Sequence, residues 1–193
     1  MNSVNYSSEQ LEQFNTAAEY CKNQEYDKAF EIYIELANHG STSSQRFIGW
    51  MYLSGEGVEK NIEQAEFWFK KSADGDDVEA QFGLGKIYLL KNDIEQAKYW
   101  FEKSVENKFM PSYFRLAKIY LSESENNFNK GFDLLKVAAK SGHIASGKNY
   151  ALLLIKGKKG LFNRVIGMFL FIKIVIMIFI LATREPDSER LLK

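Results

Sequence analysis

Ile48-Gly49-Trp50-Met51-Tyr52 returns as Leu84-Gly85-Lys86-Ile87-Tyr88 and again as Leu116-Ala117-Lys118-Ile119-Tyr120. A second block, Gln64-Ala65-Glu66-Phe67-Trp68-Phe69, returns as Gln96-Ala97-Lys98-Tyr99-Trp100-Phe101. A motif that recurs roughly every 32 to 36 residues marks helical hairpins stacked side by side, each burying its apolar face on the next. The apolar positions within each block follow helical spacing. The expected fold is therefore all-α: an α-solenoid of about four helix-turn-helix repeats plus a C-terminal transmembrane helix.

The first hairpin is expected over about Ser8 to Gly40, with Ser7 or Ser8 capping its first helix and Gly40 closing the second in a left-handed turn. The second covers Ser41 to Gly75, with helices near Thr42–Ser54 and Asn61–Asp74 and a turn at Gly55-Glu56-Gly57-Val58. The third covers Asp76 to Asn107. Tyr52 to Ala65 spans 13 residues and Tyr88 to Ala97 only 9, so the third hairpin loses four residues, all from its turn, Lys91-Asn92-Asp93. The fourth covers Lys108 to Gly142, with Pro111 in a first helical turn and Ser122 to Phe128 as its turn. A fifth begins in register at Ser146 and passes into the apolar run. Ala65, Ala97, Gly49 and Gly85 are expected to let helices approach closely while Tyr and Trp fill the grooves beside them.

These residues resemble the Sel-1-like repeat family, a relative of the tetratricopeptide repeats. The resemblance rests on Ile48-Gly49-Trp50-Met51-Tyr52, Gly55-Glu56-Gly57-Val58, Ala65, Trp68-Phe69 and Ala73-Asp74-Gly75. The third hairpin matches apart from its turn, the fourth departs further, and the first, with Tyr26-Asp27-Lys28-Ala29, looks closer to a plain tetratricopeptide repeat. The likeness covers roughly residues 8–157. It implies a binding scaffold or adaptor. Some bacterial members of the family resemble bodyguards for toxins and others serve envelope assembly; the pattern suits a bacterium.

Charge is uneven although the chain as a whole is neutral. Residues 1–106 carry 10 Lys and Arg against 19 Asp and Glu; residues 107–164 carry 11 against 3. The basic half rests against anionic lipid headgroups or is simply solvated. The acidic first half argues against nucleic acid as a partner. Cys21 is a lone cysteine, which leaves no intramolecular disulfide and no multi-cysteine zinc site. The first 25 residues lack an apolar core of the kind an export signal has.

From Val165 to Ala182 the chain reads VIGMFLFIKIVIMIFILA. Residues 161–182 would make a helix of about 33 Å, enough for a bilayer core. The alternative is a buried helix. The domain plan is then a disordered N-terminus at 1–7, the repeats at 8–157, a transmembrane helix at 161–182 and a short polar tail at 183–193. Lys156, Lys158, Lys159 and Arg164 precede the run, so the expected localisation is a single-pass membrane protein with its solenoid in the cytoplasm. Lys173, inside the run, either pairs with an acid of another membrane protein or snorkels to the headgroups.

No phosphate-binding loop or nucleophile elbow occurs in the sequence. His39 and His143 each flank a glycine between hairpins and read as turn residues. Neither an enzyme nor a cofactor is expected. The partners expected are another protein and, through residues 161–182, the lipid bilayer, with no nucleic acid. The function that follows is a membrane-anchored protein–protein interaction scaffold or adaptor. The alternatives are an immunity protein that neutralises a bacterial toxin and a structural subunit of a membrane or envelope complex. In a curved stack the first helix of each hairpin lines the inner surface. The candidate partner-binding residues there are Gln45, Phe47, Trp50, Gln81, Lys86, Tyr113, Arg115 and Lys118, with Lys173 as a candidate intramembrane contact.

Overall fold

A computed structural model describes residues 7–123, 125–156 and 161–184. Its described part is all-α, with helices α1 (Ser8–Lys22), α2 (Tyr26–Asn38), α3 (Thr42–Ser54), α4 (Ile62–Asp74), α5 (Val78–Leu90), α6 (Ile94–Glu106), α7 (Met110–Glu123), α8 (Glu125–Lys140), α9 (Ile144–Ile155) and α10 (Leu161–Arg184). They pair in chain order as antiparallel hairpins. Contacts divide the chain into two units, 1–109 and 110–193.

In the first unit every helix except α2 starts on a side-chain cap. Ser7 and Gln10 form a reciprocal capping box on α1, so Ser7 belongs to the first hairpin and not to a disordered N-terminus. The rest of that expected segment, 1–6, lies outside the described residues. Ser41, Asn61, Asp77 and Asp93 accept from the backbone N–H three residues on, capping α3 to α6; each such cap is worth about 1 kcal/mol. Gly40 has the expected left-handed backbone, φ 90°. At the next junction the angle falls instead on Asp76, φ 61°, while Gly75 is needed for space: a Cβ there would stand 3.0 Å from the Thr42 side chain.

The small residues act as expected, but phenylalanines fill the gaps they leave. Phe69, fully buried, lies between Gly49 and Gly83; a Cβ on either would stand 2.7 Å from its ring. Phe101 repeats the arrangement against Gly85, at 2.4 Å. Two serines at equivalent positions tie the two helices of a hairpin together: Ser72 Oγ of α4 donates to the Thr42 carbonyl of α3 at 2.9 Å, and Ser104 Oγ of α6 to the Val78 carbonyl of α5 at 3.2 Å. The core around them joins Ala17, Ala29, Tyr33, Ile48, Met51 and Trp68 in one cluster and Leu53, Ala65, Phe69, Leu84 and Ile87 in the next.

In the second unit, α7 and α8 take in most of the stretch expected as the turn Ser122 to Phe128. Gly131 of α8 lies against α7, where a Cβ would meet Ala117 O at 2.9 Å and Leu121 Cγ at 2.8 Å. Gly167 of α10 stands in the same relation to α9: a Cβ would meet Ala151 O at 2.8 Å and Leu154 Cβ at 2.7 Å. Ala65, Ala97, Gly131 and Gly167 thus form one series of close approaches. Seven residues further on, Ser72, Ser104, Ala138 and Ile174 are all buried.

This series corrects the expected membrane anchor. The run at 161–182 does not replace the second helix of the fifth hairpin; it is that helix, docked along α9. Among the described residues no helix is long and apolar enough to cross a membrane. The transmembrane helix, its topology and the bilayer-spanning role of 161–182 therefore have no support from the structure. Thr183 and Arg184 of the expected polar tail fall within α10, and the remainder of the tail lies outside the described residues.

Candidate protein-binding surface

The eight candidate residues lie on the first helices of successive hairpins: Gln45, Phe47 and Trp50 on α3, Gln81 and Lys86 on α5, and Tyr113, Arg115 and Lys118 on α7. Burial separates them. Gln45 is buried and its Nε2 donates to the Ala37 carbonyl at 3.1 Å, tying α3 to α2. Gln81, its equivalent in the next hairpin, is also buried, and among the described residues its Oε1 has no hydrogen-bond partner. Phe47 stacks on Tyr33 with ring centroids 4.8 Å apart and meets Phe14 edge-on at 5.7 Å. Gln45 and Phe47 hold hairpins together, and with Gln81 buried beside them these three offer a partner little.

Trp50 and Lys86 are half-buried and meet each other. The Lys86 ammonium lies 4.4 Å from the Trp50 ring centroid, and the indole packs edge-on to Phe69 at 4.9 Å. Phe69 thus fixes the indole from below while Lys86 covers it. A cation over a tryptophan face is worth about 0.5–1 kcal/mol where water reaches it.

The same pairing recurs with its members exchanged. On α3 the cation comes first, one turn before Trp50 in sequence, but Arg46 lies over Phe47, and Trp50 takes its cation, Lys86, from α5. On α5 and α7 the aromatic comes first, as Phe82 with Lys86 at 6.0 Å and Phe114 with Lys118 at 5.8 Å. Arg46 is held from below by Asp77 at 2.9 Å and Glu79 at 2.8 Å, and its guanidinium lies 4.8 Å from the Phe47 ring. Lys118 is exposed, whereas Tyr113 and Arg115 are half-buried. Arg46, Phe82 and Phe114 were missing from the candidates. Their signal in the sequence is an aromatic and a cation four apart on three first helices, which sequence equivalence obscures because the two swap places.

His39 and His143 are turn residues, as expected. His143 caps α9: its Nδ1 accepts from the Ser146 N–H at 3.2 Å, and burial lowers its pKa. Lys173 lies on α10, exposed. Among the described residues no three His, Cys, Asp or Glu side chains are grouped so as to hold a metal ion.

The sequence pattern of the Sel1 repeat matches residues 42–77, 78–109 and 111–143, just over half of the chain. The chain belongs to the Sel1 repeat family. The three matched Sel1 repeats coincide with the α3–α4, α5–α6 and α7–α8 hairpins. No curated protein matches the sequence. Among solved structures, a Sel1 repeat protein from Oxalobacter formigenes superposes with a TM-score of 0.75 at 20% identity, over 84% of this chain and 69% of that one. The protein c5321, a protective antigen of uropathogenic Escherichia coli strains with an SLR fold, gives the same TM-score and identity over 85% of this chain and 38% of that one. MamA superposes at a TM-score of 0.60 with 17% identity, over 86% of this chain and 96% of that one. At these identities the likeness establishes the Sel1 repeat fold.

Proposed function

We propose that this Sel1 repeat protein is a protein-interaction scaffold that grips its partner along the first helices of its repeats. The observation that carries this reading is the recurrence of an aromatic–cation pair on α3, α5 and α7, centred on Trp50 under Lys86. Flat rings backed by a packed core keep their shape when a partner arrives, so little ordering entropy is lost on binding. Trp and Arg also dominate binding energy at protein interfaces. In the first unit the surface that follows comprises Trp50 and Lys86, joined by Arg46 and Phe82; in the second unit, taken by itself, the corresponding residues are Arg115 and Lys118 with Phe114.

Capture of partners on immobilised protein, read by mass spectrometry, tests it. Trp50→Ala and Lys86→Glu each lower recovery of the specific partner about tenfold or more, the loss expected of an interface anchor. Gln45→Ala, on the buried side of the same helix, changes stability and not recovery per folded molecule. Undiminished recovery by a folded Trp50→Ala, Lys86→Glu double variant removes the assignment.

A further inference from the structure

The α10 helix has one docked side and one bare side. At about 100° per residue, Gly167, Phe171, Ile174 and Ile178 share the side that faces α9, where Gly167 and Ile174 are buried. The opposite half of the circumference carries Val165, Met168, Phe169, Ile172, Val175 and Ile176, all exposed; Phe169 is 70% exposed and Ile172 and Ile176 are 53% each. Ile166 and Ile180 extend this apolar arc; Arg164 falls at one edge of it, and Lys173 lies near the other, between Ile180 and Ile166 around the helix, both cations exposed.

The border at Lys173 opens into a cleft. A cavity of about 200 Å³ lies between the α8–α9 turn and α10, lined by Lys140, His143, Gly147, Lys173, Ile174 and Met177 among others. Two lysines from different helices thus face one cleft at the rim of a wide apolar surface. The charge around it has the same sign: Lys136, Lys148 and Lys156 flank the cleft in sequence on α8 and at α9, and Asp133 is the nearest acid on α8.

We infer that α10 lies in the plane of an acidic phospholipid surface, with Val165, Phe169, Ile172 and Ile176 among the acyl chains and a lipid phosphate in the cleft between Lys140 and Lys173. A helix with a broad apolar face edged by basic residues partitions to the boundary between headgroups and acyl chains, immersed by about 5–10 Å. The lysine stems run up from that depth and place their ammonium groups at the phosphates. A bilayer of anionic lipid meets both demands, apolar cover and negative charge. A second copy of the chain would bring its own Lys140 and Lys173 to the same face.

Vesicle flotation with the full chain tests the inference. The protein is expected to float with phosphatidylcholine–phosphatidylglycerol vesicles, to stay behind with phosphatidylcholine alone, and to be released by high salt or alkaline carbonate. Lys140→Gln with Lys173→Gln weakens binding roughly thirtyfold, which corresponds to about 1 kcal/mol for each charge near an anionic surface. Phe169→Glu with Ile172→Glu, both exposed and remote from α9, abolishes flotation while the helical circular dichroism is unchanged. Equal flotation with neutral vesicles that resists carbonate overturns the in-plane placement in favour of a span. A dimer in sedimentation that does not float shows that a second copy covers the arc. Glycerol phosphate binding without vesicles, lost in the same lysine variants, reassigns the cleft to a free phosphate.

Discussion

Gly57 approaches the backbone of Tyr26 so closely that a Cβ on it would stand 2.2 Å from the Tyr26 carbonyl oxygen. Its φ of 71° is also one that only glycine adopts readily. The turn of one hairpin is thereby seated on the start of α2 in the hairpin before it. Gly57→Ala meets both obstacles and is expected to cost about 2 kcal/mol or more. Gly40→Ala meets only the left-handed backbone, since nothing lies within 4 Å of the added methyl, and costs about 1 kcal/mol. Urea denaturation of the two variants side by side measures the difference, and equal midpoints would contradict the contact with Tyr26.

Gly85 tests the phenylalanine packing. Its added methyl would lie 2.4 Å from the fully buried Phe101 ring, so Gly85→Ala is expected to lose about 1–3 kcal/mol by overpacking. Phe101→Leu relieves the same clash. The double variant should therefore be more stable than the sum of the two losses predicts, by about 1 kcal/mol. Strict additivity in thermal or urea unfolding would separate Gly85 from Phe101.

Glu66 gives the protein an acid-sensitive tie. Burial alone would raise its carboxyl, but hydrogen bonds from Lys70, Lys91 and the Tyr88 hydroxyl outweigh that and hold it at about 2. An unfolded glutamate titrates near ~4.3. The Glu66 contribution is therefore complete above that pH and is lost as pH falls through about 2. Glu66→Gln is expected to lower stability at neutral pH by about 1–3 kcal/mol and to flatten the loss of stability between about pH 4.5 and 2. Equilibrium unfolding across that range is the measurement; an unchanged slope would mean the network carries no net stabilisation.

Gly167 reports on whether α10 is the second helix of the fifth hairpin. Its Cβ would strike Ala151 O and Leu154 Cβ, as that of Gly131 would strike Ala117 O. Gly167→Ala is expected to loosen α10 from α9 and to raise amide exchange along α9, leaving α1 to α6 untouched. Exchange followed by mass spectrometry reads this directly, and unaltered α9 protection would detach α10 from the hairpin series.

The hairpins were legible because their period and small residues are written in near-identical blocks, Gln64 to Phe69 and Gln96 to Phe101. The place of α10 was not. Its overwhelming hydropathy masked the one position that mattered, a glycine 36 residues after Gly131, and an apolar helix docked on one side has the same composition as one bathed in lipid. The candidate surface was half legible. Trp50 and Lys86 were found by repeat equivalence, yet Gln45 and Gln81 share that equivalence and are buried, because a helix turns by more than a quarter circle per residue. Phe82 and Arg46 escaped because they exchange chemical roles between hairpins. The fourth turn escaped because α7 and α8 extend into a polar stretch that nothing apolar marks as helical.

Each cross-hairpin tie described for the first unit, Arg46 to Asp77, Tyr88 to Glu66, Gln45 to Ala37 and Gly57 to Tyr26, joins a hairpin to its immediate neighbour. None of these ties skips a hairpin. Under a pulling force such a unit yields one link at a time, from an end inward, and each link can close again on the one still standing. A scaffold with this wiring can give up its outermost hairpin to a strained partner without surrendering the rest.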